Sequence, residues 1–567
     1  MSDYRDPTQP TAARVADLLG RLTLAEKIAQ MTQPEKYSVT PDEVAALGMG
    51  SVLSGGGGNP KPNTPATWAA MVSEYDEAAR RSRLGIPLLY GVDAVHGHNN
   101  VHGATIFPHT ISLGAAGDPE LARRVARATA LETAATGVRW DFAPMVSVVQ
   151  DPRWGRTYEA FGDDTAAVTA LSRAYLLGLQ DAGDGRGLAS PHAVLGTPKH
   201  YLGDGATLWG TSKMEMLGLR FHIDQGDMRV DEATLRAKYL PPYAAAVEAG
   251  ALCVMPSFSS WNGVKMHAHR YLLTDVLKGE MGLRGFLVSD WQAMDQIDPD
   301  YATAIATSIN AGLDMNMVPY DWRRFIATLM AAIESGAVPL SRIDDAVGRI
   351  LTVKFEMGLF EQRPGDLPPL SILGAAEHRA LAREAAARGM VLLHNDGGAL
   401  PIGGGPIFVA GEAADNIGLQ CGGWTIKWQG EVTRDLTVGT TILDGLREVA
   451  PPDTAITYSP TADFPGDARA AVGLLFVHEL PYAEGLGDRE DLNLPAEQVA
   501  LIDKLRARCE RLVVVLITGR PLLIAEHLGR AEAWVAAWLP GSEGGAVADV
   551  LFGRVPFTGR LPLAWPG

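Results

Sequence analysis

The sequence predicts an α/β protein in two parts: an N-terminal (β/α)8 barrel of TIM type followed by an α/β sandwich. Three observations carry this. Short apolar runs alternate with helical stretches between residues 50 and 318, as in a parallel sheet covered on both faces. Polar residues gather where those runs end. A Pro/Gly-rich stretch then precedes a second, smaller α/β series.

The opening is helical. Val15, Leu18, Leu19 and Leu22 fall at i, i+3, i+4 and i+7, one apolar stripe. Thr23 with Glu26 three residues on reads as a capping box for a second helix running through Ile28 and Met31. The strand candidates are GSVLS (50–54), PLLYGV (87–92), VRWDFAPMV (138–146), VLGTPKH (194–200), ALCVMPS (251–257), GFLVSD (285–290) and GLDMNMV (312–318). That is seven, one short of a barrel, and a doubly wound open sheet is the alternative. Asp93, Lys199, His200 and Asp290 stand at strand ends, which is the catalytic face of a barrel and the ligand-binding edge of an open sheet.

A helix closes the first part, with Ser341 as its cap, Asp344 three residues on, and an apolar face of Ile343, Val347, Ile350 and Leu351. Gly358 stands where the helix should stop. EQRPGDLPPL (361–370) reads as a linker. A helix around 375–388 and strands near 390–393, 406–410, 472–477, 511–517 and 533–539 follow. The expected division is therefore 1–358, a linker at 359–373, and 374–567.

Composition sets outer limits. A chain of 567 residues exceeds one ordinary core. A net charge of −17 argues against nucleic acid and anionic membranes as partners. Cys253, Cys421 and Cys509 are odd in number and widely spaced, so neither a disulfide framework nor a metal site is expected. The N-terminus has no basic n-region and no apolar h-region, and no apolar run reaches the ~18 residues of a membrane span. The expectation is a soluble protein, cytoplasmic as it stands and periplasmic or secreted if a leader has been removed. Oligomeric state is not legible.

Among the motifs, GFLVSDWQAMD (285–295) puts Asp290 directly after a buried strand and Trp291 beside it. Alone, an Asp there is better explained as a helix cap, and the neighbouring indole changes that balance little, although an aromatic beside a carboxylate is what sugar stacking needs. GTPKHYLGDG (196–205) offers Lys199 and His200, which in isolation read more readily as a structural Lys–carboxylate pair than as hydroxyl donors. GVDAVHGHNN (91–100) offers Asp93, with His96 and His98 better read as packing residues than as metal ligands, since no third ligand is spaced to join them. DPRWGRTYEAFGDD (151–164) supplies Arg153 and Arg156. CGGWTIKWQG (421–430) carries Trp424 and Trp428 on a glycine-rich loop. VHELPYAEGLGDRED (477–491) is a strand end and an acidic loop from which composition selects no member.

Together these motifs closely resemble glycoside hydrolase family 3, in its β-glucan glucohydrolase and β-glucosidase branch. The match runs in order over nearly the whole chain, through RLTLAEKIAQM, GVDAVHGHNN, DPRWGR, KHYLGDG, SDW, AGLDMNMVP, QCGGWTIKWQG, PYAEGLGD and WLPGSEGG. The resemblance implies a barrel and a sandwich with the active site between them. It implies Asp290 as nucleophile and Glu484 as acid/base, with Glu479 as a neighbouring carboxylate. It implies Asp93, Arg156, Lys199 and His200 around the terminal glucose, Trp291 and Trp428 clamping the next sugar, and Met255 and Met317 lining the pocket. The implied activity is that of a retaining, exo-acting β-glucosidase on β-linked gluco-oligosaccharides, with no metal or organic cofactor. Such chemistry needs two carboxyl groups roughly 5 to 5.5 Å apart.

The chain departs from the family's pattern in four places. Phe258 replaces a frequent tyrosine, and Gln296 replaces an arginine of plant relatives. The stretch 207–226 is longer than the usual loop, and which acidic residue there stands for the family's glutamate is open. The sequence also ends at GRLPLAWPG, before a segment that relatives carry. A β-xylosidase of the same family is the nearest alternative and a non-catalytic sugar-binding relative a remoter one. The β-N-acetylhexosaminidase branch is disfavoured because KHYLGDG replaces its KHFPGHG signature.

Overall fold

Thr11–Arg21 is helical and buries Leu18, and Thr23 forms its capping box with Glu26 at the head of the helix Leu24–Gln30. These elements belong to a computed structural model that describes residues 3–566. Directly after them lies a strand that the apolar pattern misses, β1 (Thr32–Gln33). Both side chains are fully buried although polar. Thr32 Oγ1 donates to the Ile28 carbonyl at 2.8 Å, and Gln33 Nε2 donates to Ser51 Oγ at 2.8 Å. Thr32 is satisfied in this way and costs little in the interior, whereas Gln33 pairs through its Nε2 alone and its buried Oε1 has no hydrogen-bond partner.

Seven parallel segments follow: β2 (Ser51–Ser54), β3 (Leu89–Val92), β4 (Trp140–Asp141), β5 (Leu195–Gly196, resumed at Lys199–Tyr201), β6 (Cys253–Pro256), β7 (Phe286–Leu287) and β8 (Asn316–Met317). β2 to β5 pair in order. The resumed part of β5 pairs with β6, and β6 with β7. Val288↔Met315 bridges to β8, β8 pairs with β1, and Glu35↔Leu53 bridges β1 back to β2. The ring closes on eight strands. The fold is thus the barrel and not the open sheet, and the count of seven is corrected by β1.

The closing helix, Leu340–Glu356, buries Ile343, Val347, Ile350 and Leu351 as expected. Its N-cap is Pro339 with no side-chain hydrogen bond, so Ser341 sits inside the first turn and not at the cap. Gly358 has φ 64°, the left-handed conformation that ends helices.

The second sheet has six strands: β9 (Val391–Asn395), β10 (Ile407–Ala410), β11 (Ile456–Tyr458), β12 (Ala470–His478), β13 (Cys509–Ile517) and β14 (Ala533–Trp538). Their order is β9-β14-β13-β12-β10-β11, parallel except for β9. β11, a three-residue edge strand that is only partly buried, is the one not foreseen. Period-two alternation decides which side each residue serves. Leu474, Phe476, Val513 and Val515 face a cluster that includes Val95, Ile111, Trp154 and Tyr158 from the barrel's loops. Leu475, Val477, Val514 and Leu516 face the helix Ala496–Arg506 through Ile502 and Leu505. An apolar seam therefore presses the sheet onto the barrel, and the loop leaving β12 opens over the barrel's catalytic end. Among the described residues no helix is long and apolar enough to cross a membrane.

Candidate active site

The carboxyl ends of the barrel strands and two loops of the second sheet enclose a cavity of about 470 Å³. Ten of the eleven residues named from the sequence line it: Asp93, Arg156, Lys199, His200, Met255, Asp290, Trp291, Met317, Trp428 and Glu484.

Asp290 follows β7 and is set by its neighbours' backbone. Its N–H donates to His267 Nε2 at 3.0 Å, and its Oδ1 accepts the Trp291 N–H at 2.7 Å. Oδ2 has no hydrogen-bond partner and lies 3.6 Å from His200 Nε2. A buried carboxylate oxygen left free in this way is poised to act on something else. Burial raises Asp290 from 3.8 to about 6, opposed by Arg156, by the Trp291 N–H and by Lys199.

Glu484 comes from the second sheet, on the loop after β12. Burial raises it from 4.5 to about 8, opposed by Arg156 and reinforced by Asp224, Asp290 and Glu159. Its side chain is 16% exposed, and Arg156 Nη1 stands 3.6 Å from its Oε1. Arg156 is itself buried and held bidentate by Glu159, Nε to Oε1 and Nη2 to Oε2, both at 2.9 Å. One guanidinium thus serves both carboxyl groups. Within the cavity Asp290 loses its proton first and Glu484 keeps it, which is the division of labour that acid/base chemistry needs.

At the cavity's inner end, Lys199 Nζ donates to Asp93 Oδ1 at 2.8 Å. The turn carrying Asp93 is tied down by Asn99 and Asn100, which both donate to the Asp93 carbonyl at 3.0 Å, and by Asp141, which accepts the Ala94 N–H at 2.9 Å. His200 Nδ1 lies 2.8 Å from Asp204 Oδ2, and Ser147 holds the other oxygen of Asp204. His96 stacks on His109 at 3.7 Å, and His98 Nε2 pairs with Thr136 at 2.9 Å, so both pack. Arg153 pairs with Asp151 outside the cavity.

Trp291 and Trp428 reach the cavity from opposite units, with two glycines between their supports. A Cβ on Gly55 would meet Trp291 at 2.9 Å, and one on Gly56 would meet Trp428 at 2.9 Å. The run SGGGGNP after β2 is the signal for this, and a search for apolar strands and polar strand ends passes over it.

Glu479 departs from expectation. It does not line the cavity. It is buried behind the loop, its Oε2 accepting from Thr518 at 2.7 Å and its Oε1 lying 3.2 Å from Arg520 and 3.3 Å from Arg489. With two cations and a hydroxyl to satisfy, it has structural work and no access. Conversely, Phe142, Met214, Met216, Gln225, Tyr320 and Trp424 line the cavity without having been chosen. Trp424 is both core and wall, with Lys199 Nζ 5.9 Å from its ring centre. Gln296 lines the cavity too, donating to Gln225 at 2.8 Å, and Lys265 donates to it at 2.9 Å, so a cation still stands behind that position.

Comparison with known proteins agrees with this arrangement. Residues 23–353 match the model of the glycosyl hydrolase family 3 N-terminal domain, and residues 390–567 match that of its C-terminal domain. The lysosomal β-glucosidase of Dictyostelium discoideum is 33% identical over 98% of this chain and 72% of its own length. The periplasmic β-glucosidase of Salmonella typhimurium is 31% identical over 99% and 75%. Among solved structures, the exo-1,3/1,4-β-glucanase of a Pseudoalteromonas species superimposes with a TM-score of 0.91 at 38% identity, covering all of this chain and 72% of that one.

Proposed function

The chain belongs to glycosyl hydrolase family 3, and from that premise we propose how its residues carry out the reaction of a retaining, exo-acting β-glucosidase. It is a glycoside hydrolase that releases glucose from the nonreducing end of β-glucans and β-gluco-oligosaccharides. The observation that carries the assignment of roles is that the barrel and the second sheet each deliver one carboxyl group to a single cavity, with Arg156 serving both.

Asp290, ionised, attacks the anomeric carbon while Glu484 gives its proton to the departing glycosidic oxygen. A glucosyl ester on Asp290 and a free aglycone result. Glu484, now a carboxylate, takes a proton from water as that water attacks the same carbon, which returns Asp290 and restores the acid. The free Oδ2 of Asp290 is the attacking atom, since Oδ1 is committed to the Trp291 N–H.

Asp93, Lys199, Arg156 and His200 hold the terminal glucose through hydroxyl contacts, which fix its register and make the attack exo. Sites that hydrogen-bond hydroxyls reject analogues lacking them, because buried polar groups are then left unpaired. Trp291 and Trp428 take the next sugar by stacking, with Met255 and Met317 as apolar wall. The division 1–358, 359–373 and 374–567 belongs to the same reading, placing nucleophile and acid on separate units. A 2-fluoro glucoside bearing an activated leaving group tests the assignment: mass spectrometry of the trapped enzyme should find the sugar on Asp290. Labelling of another carboxylate overturns it.

A further inference from the structure

The sequence stretch 207–226 and the acidic loop after β12 meet in the fold. Glu484 has φ 57°, a left-handed conformation uncommon for a non-glycine residue. Such a backbone persists where its surroundings hold it. A Cβ on Gly485 would lie 2.2 Å from the Phe221 ring, and one on Gly155 would lie 1.8 Å from the Glu484 carbonyl oxygen. The loop therefore lies directly against both the DPRWGR turn and the long barrel loop.

Four positions beyond Glu484, Asp488 reaches back to the barrel. Its Oδ2 accepts the backbone N–H groups of His222, Ile223 and Asp224 at 2.9, 2.8 and 2.9 Å. Its Oδ1 accepts the Gly155 N–H at 2.9 Å. Burial pushes Asp488 upward, and the four N–H donors oppose it. The adjacent Asp224 has one donor, Trp154 Nε1 at 2.8 Å, and a free Oδ2. Burial and then Asp488 push Asp224 upward, so the two carboxyl groups titrate as a pair.

We propose that Asp488 is a positioning residue for the reaction: its carboxylate clasps the barrel segment 222–224 and Gly155, and so holds Glu484 over the glycosidic oxygen. The inference rests on the reading of Glu484 as acid/base. It gives the long loop 207–226 a purpose as the seat of the acid's loop. Asparagine at 488 keeps the size but offers one acceptor atom for four donors. The Glu484 loop then rides higher and admits water.

The test compares the wild-type chain with Asp488→Asn and, as a variant that lifts the same loop against Phe221 while keeping the Asp488 carboxylate, Gly485→Ala. Substrates are 2,4-dinitrophenyl β-glucoside, whose leaving group needs no proton, and phenyl β-glucoside, whose leaving group does. A displacement near 1 Å costs about 100-fold, so kcat on the phenyl substrate should fall by about 10- to 100-fold in both variants. The dinitrophenyl substrate should change by less than about 3-fold on the same argument. Arg156, Asp224, Asp290 and Glu159 all face Glu484. Asp488→Asn also removes the charge that pushes Asp224 upward, so the pH profile is read in Gly485→Ala, where hydration of a lifted Glu484 lowers it and the alkaline limb of kcat/KM should move to lower pH. Equal losses on the two substrates in Asp488→Asn, or an unmoved limb in Gly485→Ala, would make Asp488 merely structural and overturn the proposal. Glu484→Gln is measured alongside. If it shows no leaving-group dependence, the acid/base reading falls, and amide exchange at His222, Ile223 and Asp224 decides the clasp alone. Faster exchange there in Asp488→Asn supports it, and unchanged exchange refutes it.

Discussion

Replacing Glu484 by glutamine should make the protein more stable as it loses its proton donor. In the unfolded chain the carboxyl group ionises near 4.5, and in the fold near 8. Below 4.5 both states hold the proton and the site costs nothing. As pH rises toward 8 the unfolded state gains from ionising and the folded state does not, so folding loses free energy over that window and the loss is complete above it. At pH 7 the group has covered 2.5 units of the gap, worth about 3 kcal/mol, and the whole 3.5 units amount to about 5 kcal/mol. Both figures are upper bounds, because the side chain is 16% exposed and partly screened. Glutamine has the same shape and never ionises. Urea denaturation of wild type and Glu484→Gln at pH 4.5, 7 and 8.5 should show midpoints that nearly coincide at the lowest pH and separate progressively, the variant the more stable at the two higher values. A gap that does not grow with pH, or a less stable variant, would show that Glu484 is not held protonated by burial.

The same two carboxyl groups shape the rate. Wild-type kcat/KM should be bell-shaped, with an acid limb near 6 from Asp290 and an alkaline limb near 8 from Glu484, and on a dinitrophenyl glucoside Glu484→Gln should retain only the acid limb. The tryptophan slot is tested by Gly55→Ala, whose methyl must displace Trp291, and by Trp428→Ala. Each should weaken hydrolysis of β-linked disaccharides by about 1 to 3 kcal/mol if stacking on a sugar is worth what stacking on a base is. A small activated glucoside should be little affected, and initial rates on the two substrates give the comparison.

Much of the barrel was legible because parallel strands are apolar on both faces and their polar ends stand out against them. β1 was not, since Thr32 and Gln33 are polar and the strand they pair with, Asn316–Met317, lies far along the chain. Asp290 could be picked as a carboxylate closing a buried strand. Glu484 could not be told from Glu479 by composition; only the resemblance ranked them, and the fold separates them by giving Glu479 two arginines and no cavity. The long loop 207–226 was visible as an extra length of chain, but its contacts are to backbone N–H groups, which every residue carries and no sequence pattern records. The glycines at 55 and 56 were plain to see, and their meaning depended on tryptophans that arrive from 236 and 372 positions further along.

The apolar seam between sheet and barrel has a consequence for how this enzyme tolerates change. Nucleophile and acid are rooted in different cores, so their separation is a property of the joint and of neither unit alone. Substitutions at seam residues such as Ile111, Trp154 or Val513 can leave each unit well folded and still alter the angle between them. Damage of that kind registers as lost turnover long before it registers as lost structure. Selection on activity therefore reaches residues far from any sugar.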